Sequence, residues 1–395
     1  MAENPGTTNA DVIVVGLGAV GSAALYHLAK SGASVIGVDR FSPPHSLGST
    51  HGDTRITRQG IGEGLAYVPL ALRSHELWRE LERETGTSLL TQCGGLFLTQ
   101  PGKGGQIHGK HGFVERSIEA AEAFDIDHEV LTATAINARF PQFQLSGDEI
   151  GYYEPGAGFL RPEACVAAYL AAAEEHGATV VRNTVVRSVT STPTGVETHT
   201  ANATHRAKTA IIAAGPWIGD LVSAPLQRLF TVSRMVLCWF EIARDVDQLL
   251  PEHMPVFIWQ VDADRSFYGF PAIDGPDGGI KMATETPSPP IHPSTVNREI
   301  APSEPGDFYS AMVRSRFPQL SGGCTRAVTC MYTITPDGDF VIDCDPQRDN
   351  VLVASPCCGH GFKHSPAVGE ALAQWAMAGN PPPTVAPFSL TRFAE

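Results

Sequence analysis

Gly16-Leu-Gly18-Ala-Val-Gly21 is the first segment whose residue types and spacing could do chemistry, and Asp39 follows eighteen positions after its last glycine. Glycines at those three places allow a tight turn and let the backbone approach a pyrophosphate at a helix N-terminus. A carboxylate about twenty residues further on accepts hydrogen bonds from ribose hydroxyls. The glycine spacing alone is weak evidence; the order strand, glycines, helix, strand, acid makes it specific. A carboxylate at position 39 would repel a 2′-phosphate, which argues against NADP. The motif does not choose between NAD and FAD.

The elements that must position these residues are legible around them. Asp11-Val-Ile-Val-Val15 is an unbroken β-branched run, as a parallel strand buried on both faces requires. The helix after Gly21 keeps apolar residues at Ala24, Leu25 and Leu28, and Gly32 stands where a left-handed C-cap would end it. Ser34 to Val38 reads as a second strand that delivers Asp39. Ala207 to Trp217 reads as a strand closing on Gly215, and resembles the return to the nucleotide site in FAD oxidoreductases. The whole chain, 395 residues with 43% hydrophobic and 18% charged, exceeds the roughly 250–300 residues at which one core stops growing, so two structural regions are expected.

Charge and cysteine usage narrow the partners. With 28 Lys and Arg against 42 Asp and Glu, the net charge of −14 disfavours nucleic acids and anionic membranes, so an anion site must be a local cationic pocket. The apolar stretch Val12 to Ala29 is broken by three glycines and contains His27, and Glu3 and Asp11 precede it instead of a basic leader. Neither a membrane span nor a signal peptide is expected, and the expected location is the cytoplasm. The eight cysteines follow no regular framework and Cys357-Cys358 lacks metal-finger spacing, so reduced thiols and no metal site are expected.

Beyond the second strand the sequence becomes more specific. His51-Gly-Asp-Thr-Arg55-Ile-Thr-Arg58 with Gly62-Glu-Gly64 and Tyr67 to Arg73, Phe267-Tyr268-Gly-Phe-Pro271 leading to Lys281, Thr329-Cys330-Met-Tyr332 with Thr335-Pro-Asp337, and Gly359-His360-Gly361-Phe-Lys363 occur in this order. Over almost the whole chain they resemble the monomeric sarcosine oxidase and N-methyltryptophan oxidase family. The resemblance implies an α/β chain with a Rossmann-like FAD-binding domain and an interleaved antiparallel-sheet substrate domain. The expected pieces are 1–90, 150–220 and 326–395 for FAD, and 91–149 and 221–325 for substrate. It implies FAD joined covalently through Cys330 as an 8α-S-cysteinyl flavin, with further contacts from His51, Arg55, Val186, Gly215, Gly359, His360, Gly361 and Lys363. Arg58 and Lys363 would hold the substrate carboxylate, a pairing that suits a guanidinium fork and an ammonium. Lys281 would lie over the opposite flavin face and favour electron transfer to O2, and Tyr268 would border the substrate. Ser365 and Pro366 read as N-cap and first turn of a final helix running to about Ala378, its positive end facing the flavin ring.

The reaction so implied is oxidation of a secondary α-amino acid, N-methyl or otherwise N-substituted, to an imine with O2 reduced to H2O2, by an enzyme expected to be a monomer. Two positions depart from the family where substrate choice is made: Glu285 stands where a histidine usually lines the substrate cavity, and Ile61 replaces an aromatic residue in the arginine loop. Glu285 either faces the cavity, where it would favour a polar or cationic substrate side chain, or points to solvent. A cyclic or bulky substrate, pipecolate-like or sugar-adducted, is the alternative within flavoenzymes; a non-catalytic FAD-binding protein is the alternative outside them. An NAD-dependent dehydrogenase is opposed by the flavin-specific blocks.

Overall fold

The computed structural model describes residues 6–102, 105–285 and 288–393. In chain order, the elements that position the site are β1 (Gly6–Val15), α1 (Ala19–Lys30), β2 (Val35–Val38), β3 (Arg55–Thr57), the hairpin β4 (Gln106–Ile107) and β5 (Lys110–His111), and β6 (Ala203–Ile212). They continue with β7 (Thr231–Ile242), β8 (Ser266–Gly269), β9 (Ile280–Thr284), β10 (Leu320–Ile334), β11 (Val351–Ser355) and α2 (Ser365–Ala378).

An eight-stranded sheet is built around β1, which pairs in parallel with β2 on one side and β6 on the other. Strand β11 adds to β6, again in parallel. Because side chains alternate along a strand, Val12 and Val14 pack with Leu25 and Leu28 of α1, while Ile13 and Val15 pack with Ile36 and Val38 in a second core on the opposite face. This two-sided burial explains the unbroken apolar run. The strand itself begins earlier than the sequence indicated, at Gly6.

The second sheet has nine strands and carries the remaining site residues. Its pairings are antiparallel apart from Val256–Gln260 beside Gly95–Thr99. Strand β7 pairs with β10 along most of its length, placing Cys330 opposite Met235, and with β9 on its other edge, placing Lys281 opposite Trp239.

Four expectations need correction. Boundaries at 150 and 326 fall badly, because Ile150–Glu154 pairs with Gly95–Thr99 inside the nine-stranded sheet and β10 runs unbroken across 326 in that same sheet. Ladder hydrogen bonds, not composition, decide where those segments belong. Ser365 is the first residue of α2 and not its cap; the cap position is His364, and no side chain caps the helix. The proline-rich stretch Ser288 to Pro293, whose composition reads as a surface loop, instead contributes Pro290–Ile291 as a short edge strand paired with β7, a place where proline costs no ladder bond. Ile61 is fully buried in the core that includes Val12 and Leu25 and does not line the cleft described below.

Candidate active site

A single deep cleft runs from the β1–α1 turn to the loop between β11 and α2. At its first end the glycines divide their roles. A Cβ on Gly16, whose φ is +89°, would lie 2.5 Å from the Ala213 carbonyl, and one on Gly21 would lie 1.8 Å from the Gly16 carbonyl, so both are fixed by packing. A Cβ on Gly18 would meet only Thr50 Oγ1, at 3.5 Å, and Gly215 has open space around it. These two face the cleft and leave room for a ligand. The start of α1 has no side-chain cap, so its first N–H groups remain for an anion. Asp39 accepts from the Leu17 and Phe41 amides at 2.7 and 2.8 Å, which fixes its carboxylate on the cleft wall beside Val186.

Midway, Arg55 reaches across the cleft wall. Its guanidinium donates to the Ser49 and Thr54 carbonyls, each at 2.7 Å, and lies 3.7 Å from the sulfur of buried Cys330. Cys330 itself stands just behind the wall formed by its neighbours Met331 and Tyr332. Lys281 also stands behind the wall: its ammonium donates to Gly52 O at 2.6 Å and to Thr54 O at 2.8 Å, and sits 4.7 Å from the Phe270 ring that does line the cleft. Burial pushes the Lys281 pKa well below that of a free lysine, and Arg55 adds to the fall. His51 is buried off the cleft, and desolvation followed by Arg55 lowers it to about 3, so it is neutral.

The far end concentrates charge among buried side chains. Arg58 donates to Glu63 at 2.5 Å and to Gly60 O at 2.6 Å, with its guanidinium 4.8 Å from the Phe113 ring. Lys363 donates to His360 O at 2.8 Å and lies 3.9 Å from Glu63. Desolvation lowers Lys363 to about 7, against the opposing pull of Glu63. Burial works to raise Glu63, but the Arg58 and Lys363 charges beside it overcome this and hold the carboxyl well below its usual range. His360 stays neutral because desolvation lowers it well below an ordinary imidazole; its ring stacks on Phe340 with centroids 4.8 Å apart.

Glu285 faces the cleft and is nearly buried, which resolves its orientation. Its partner is His108, whose Nε2 lies 3.0 Å from Glu285 and whose Nδ1 lies 3.0 Å from Glu63. Tyr268 lines the same end and hydrogen-bonds with Tyr332. Cys357 is on the wall, whereas Cys358 points back to Thr335.

Sequence reasoning passed over Glu63 and His108. Glu63 had a signal in the two glycines that flank it: a Cβ on Gly62 would lie 2.5 Å from Phe113 O, and Gly64 has φ +154°. His108 and Gly109 form the two-residue turn of the β4–β5 hairpin with φ values of +51° and +79°, so a histidine occupies a left-handed position that usually takes Asn or Gly. Glu63, His108 and His360 offer ligand atoms within 4.8 Å of one another. Arg58 and Lys363 already face that carboxylate, and two cations there oppose a metal ion.

This combination of a parallel nucleotide sheet, a glycine turn and a cleft leading to buried cations defines a dinucleotide-binding oxidoreductase fold. The family described as FAD dependent oxidoreductase (DAO) matches residues 11–375, and the chain belongs to it. It is 40% identical over 385 residues to a monomeric sarcosine oxidase of Streptomyces avermitilis, covering 97% of this chain and 98% of that one. Identity is 38% to a monomeric sarcosine oxidase of Bacillus sp. strain B-0618, over 98% and 97% of the two chains, and 32% to an N-methyl-L-tryptophan oxidase of Yersinia pestis, over 97% and 99%. Among solved structures, the fold is shared with NikD, an amino acid oxidase of nikkomycin biosynthesis, at TM-score 0.80 and 23% identity over 97% of both chains. Among the described residues no helix is long and apolar enough to cross a membrane, and all eight cysteines are free.

Proposed function

We propose that this protein is an FAD-dependent oxidase of secondary α-amino acids, with its FAD bonded to Cys330 and the substrate carboxylate held by Arg58 and Lys363. The observation that carries the reading is one continuous cleft with a nucleotide cradle at one end and two buried cations at the other. The eight-stranded sheet with its covering helices would hold the cofactor, and the nine-stranded sheet would present the substrate. Bound FAD supplies the two-electron acceptor for the CH–NH bond and passes the electrons to O2, giving H2O2.

The chain's own contribution is orientation and charge. Arg58 and Lys363 fix the carboxylate in a dry setting where electrostatic attraction is little screened. Glu63 holds Arg58 in place and offsets one positive charge while the site is free. The amine must be neutral, with its lone pair available as the imine forms, and no protein nucleophile is needed. Water entering afterwards hydrolyses the imine.

Purified protein incubated with a panel of N-methyl and cyclic amino acids should release H2O2 with at least one of them. The carboxamide of any good substrate should lose about 1–3 kcal/mol of transition-state binding, because Lys363 is left without an anionic partner of its own while Arg58 keeps Glu63. Absence of H2O2 across the panel, or equal turnover of acid and amide, would reject the assignment.

Lys281→Met tests the oxygen side. Its ammonium is held by two carbonyls next to Phe270, not among the carboxylate-binding groups. Stopped-flow traces are expected to show reoxidation by O2 slowed by orders of magnitude and reduction by substrate slowed far less. Equal slowing of both would move Lys281 to the substrate side.

A further inference from the structure

His108 sits at the tip of the β4–β5 hairpin, and its ring joins the carboxylate-binding end of the site to Glu285. Each ring nitrogen is 3.0 Å from a carboxylate oxygen, Nδ1 from Glu63 and Nε2 from Glu285. A neutral imidazole has one N–H and could donate to only one of them; the imidazolium donates to both. The hairpin is pinned by Lys110, which pairs with Asp339 at 2.9 Å. A Cβ on Gly359 would come within 3.0 Å of the His108 ring, so the ring has no room to swing toward that loop.

Counting formal charges around the ring gives a definite balance. Glu63 and Glu285 bring two negative charges; Arg58 and imidazolium His108 bring two positive ones. Lys363 then remains as the cation for one substrate carboxylate, and His360 adds nothing. Glu285 therefore does not present a free negative charge to the cleft, contrary to the preference for cationic side chains that its identity alone suggested.

We propose that His108 determines which amino-acid side chain the site accepts: by bridging Glu63 and Glu285 it cancels the charge of Glu285, so that neutral side chains enter and cationic ones are refused. The proposal rests on the amino-acid oxidase reading above and names the substrate class within it. Around the ring stand Glu63, His360 and Lys363 on one side, Glu285 and Tyr332 on the other, and the hairpin's own Lys110 turned away to Asp339. Desolvation opposes the charged ring, but Glu285 and Glu63 outweigh it and raise His108 to about 9. In solution the bridge therefore holds through neutral pH.

The test compares the holoenzyme with His108→Gln, Glu285→Gln and the double variant on N-methyl-L-leucine and Nα-methyl-L-lysine. The unmutated enzyme should favour the neutral substrate. His108→Gln should shift the ratio of kcat/KM at least tenfold toward the cationic one, and adding Glu285→Gln should return it. A ratio unchanged in His108→Gln, or a shift that persists in the double variant, overturns the proposal. If the variants do not fold, the His108 Cε1 proton signal of the unmutated protein decides: titration above pH 8 is required, and titration at an ordinary imidazole value refutes the bridge. A protein that releases no H2O2 with any amino acid of the wider panel sinks the proposed function and this proposal together, whereas oxidation with an unchanged ratio sinks this proposal alone.

Discussion

Cys330→Ser is expected to turn a protein that keeps its yellow colour through acid precipitation into one that releases all of it. The sulfur is buried, with the Arg55 guanidinium at 3.7 Å and the Ser49 carbonyl at 3.6 Å as neighbours. Arg55 brings positive charge beside the atom proposed to form the thioether, and the two residues after it, Met331 and Tyr332, line the cleft. A set of contacts is lost when the protein unfolds, while a carbon–sulfur bond survives. Serine changes little volume, so far-UV circular dichroism should stay the same and isolate the effect. Colour in the acid supernatant of the unmutated protein would reject the attachment.

Glu63→Gln should cost about 3–5 kcal/mol of stability, because it leaves the buried Arg58 without its carboxylate. The pH dependence follows from two opposite shifts. Glu63 titrates well below 4.5 in the folded chain, so its contribution is present above pH 4.5 and is lost as the pH falls through its folded value. His108 is raised from 6.5 to about 9, so its contribution is complete below pH 6.5 and disappears as the pH rises through 9. Both are complete between pH 4.5 and 6.5. Thermal melts at pH 5.5 should therefore show the largest gap between variant and parent, and melts near pH 9.5 a smaller one. A gap below about 1 kcal/mol at pH 5.5 would mean that the ion pair contributes little, and a gap that does not shrink by pH 9.5 would mean that His108 adds nothing to it.

The parts of this molecule that were legible in its sequence are those whose neighbours in space are also neighbours in the chain. Gly16, Gly18, Gly21 and Asp39 lie within one strand–helix–strand unit, and local spacing is enough to interpret them. Arg58 and Lys363 were singled out only because the segments around them resemble a family; nothing local tells a buried Arg58 from a solvated one. His108 meets partners 45 and 177 positions away, and no periodicity reports such contacts. Ile61 was misjudged because the loop carrying it alternates direction: Arg58 and Glu63 turn into the cleft while Ile61 turns into the core. The boundary at 326 failed for a different reason. A strand of 15 residues, β10, belongs to one sheet along its length and still delivers Cys330 to the edge of the cofactor cleft.

The pairing of β1 with β6 bears on how the molecule is made. Gly6 lies opposite Ala203, so β1, once it has left the ribosome, lacks one of its two central partners until some 200 residues later. At about 5–20 residues per second that interval is on the order of 10–40 s, during which an apolar edge stands uncovered. Strand β11 and helix α2, which complete the same region, emerge later still. Nascent chains stalled before residue 203 should therefore be captured by holding chaperones and remain sensitive to protease, with resistance appearing only once the last third of the chain has been translated.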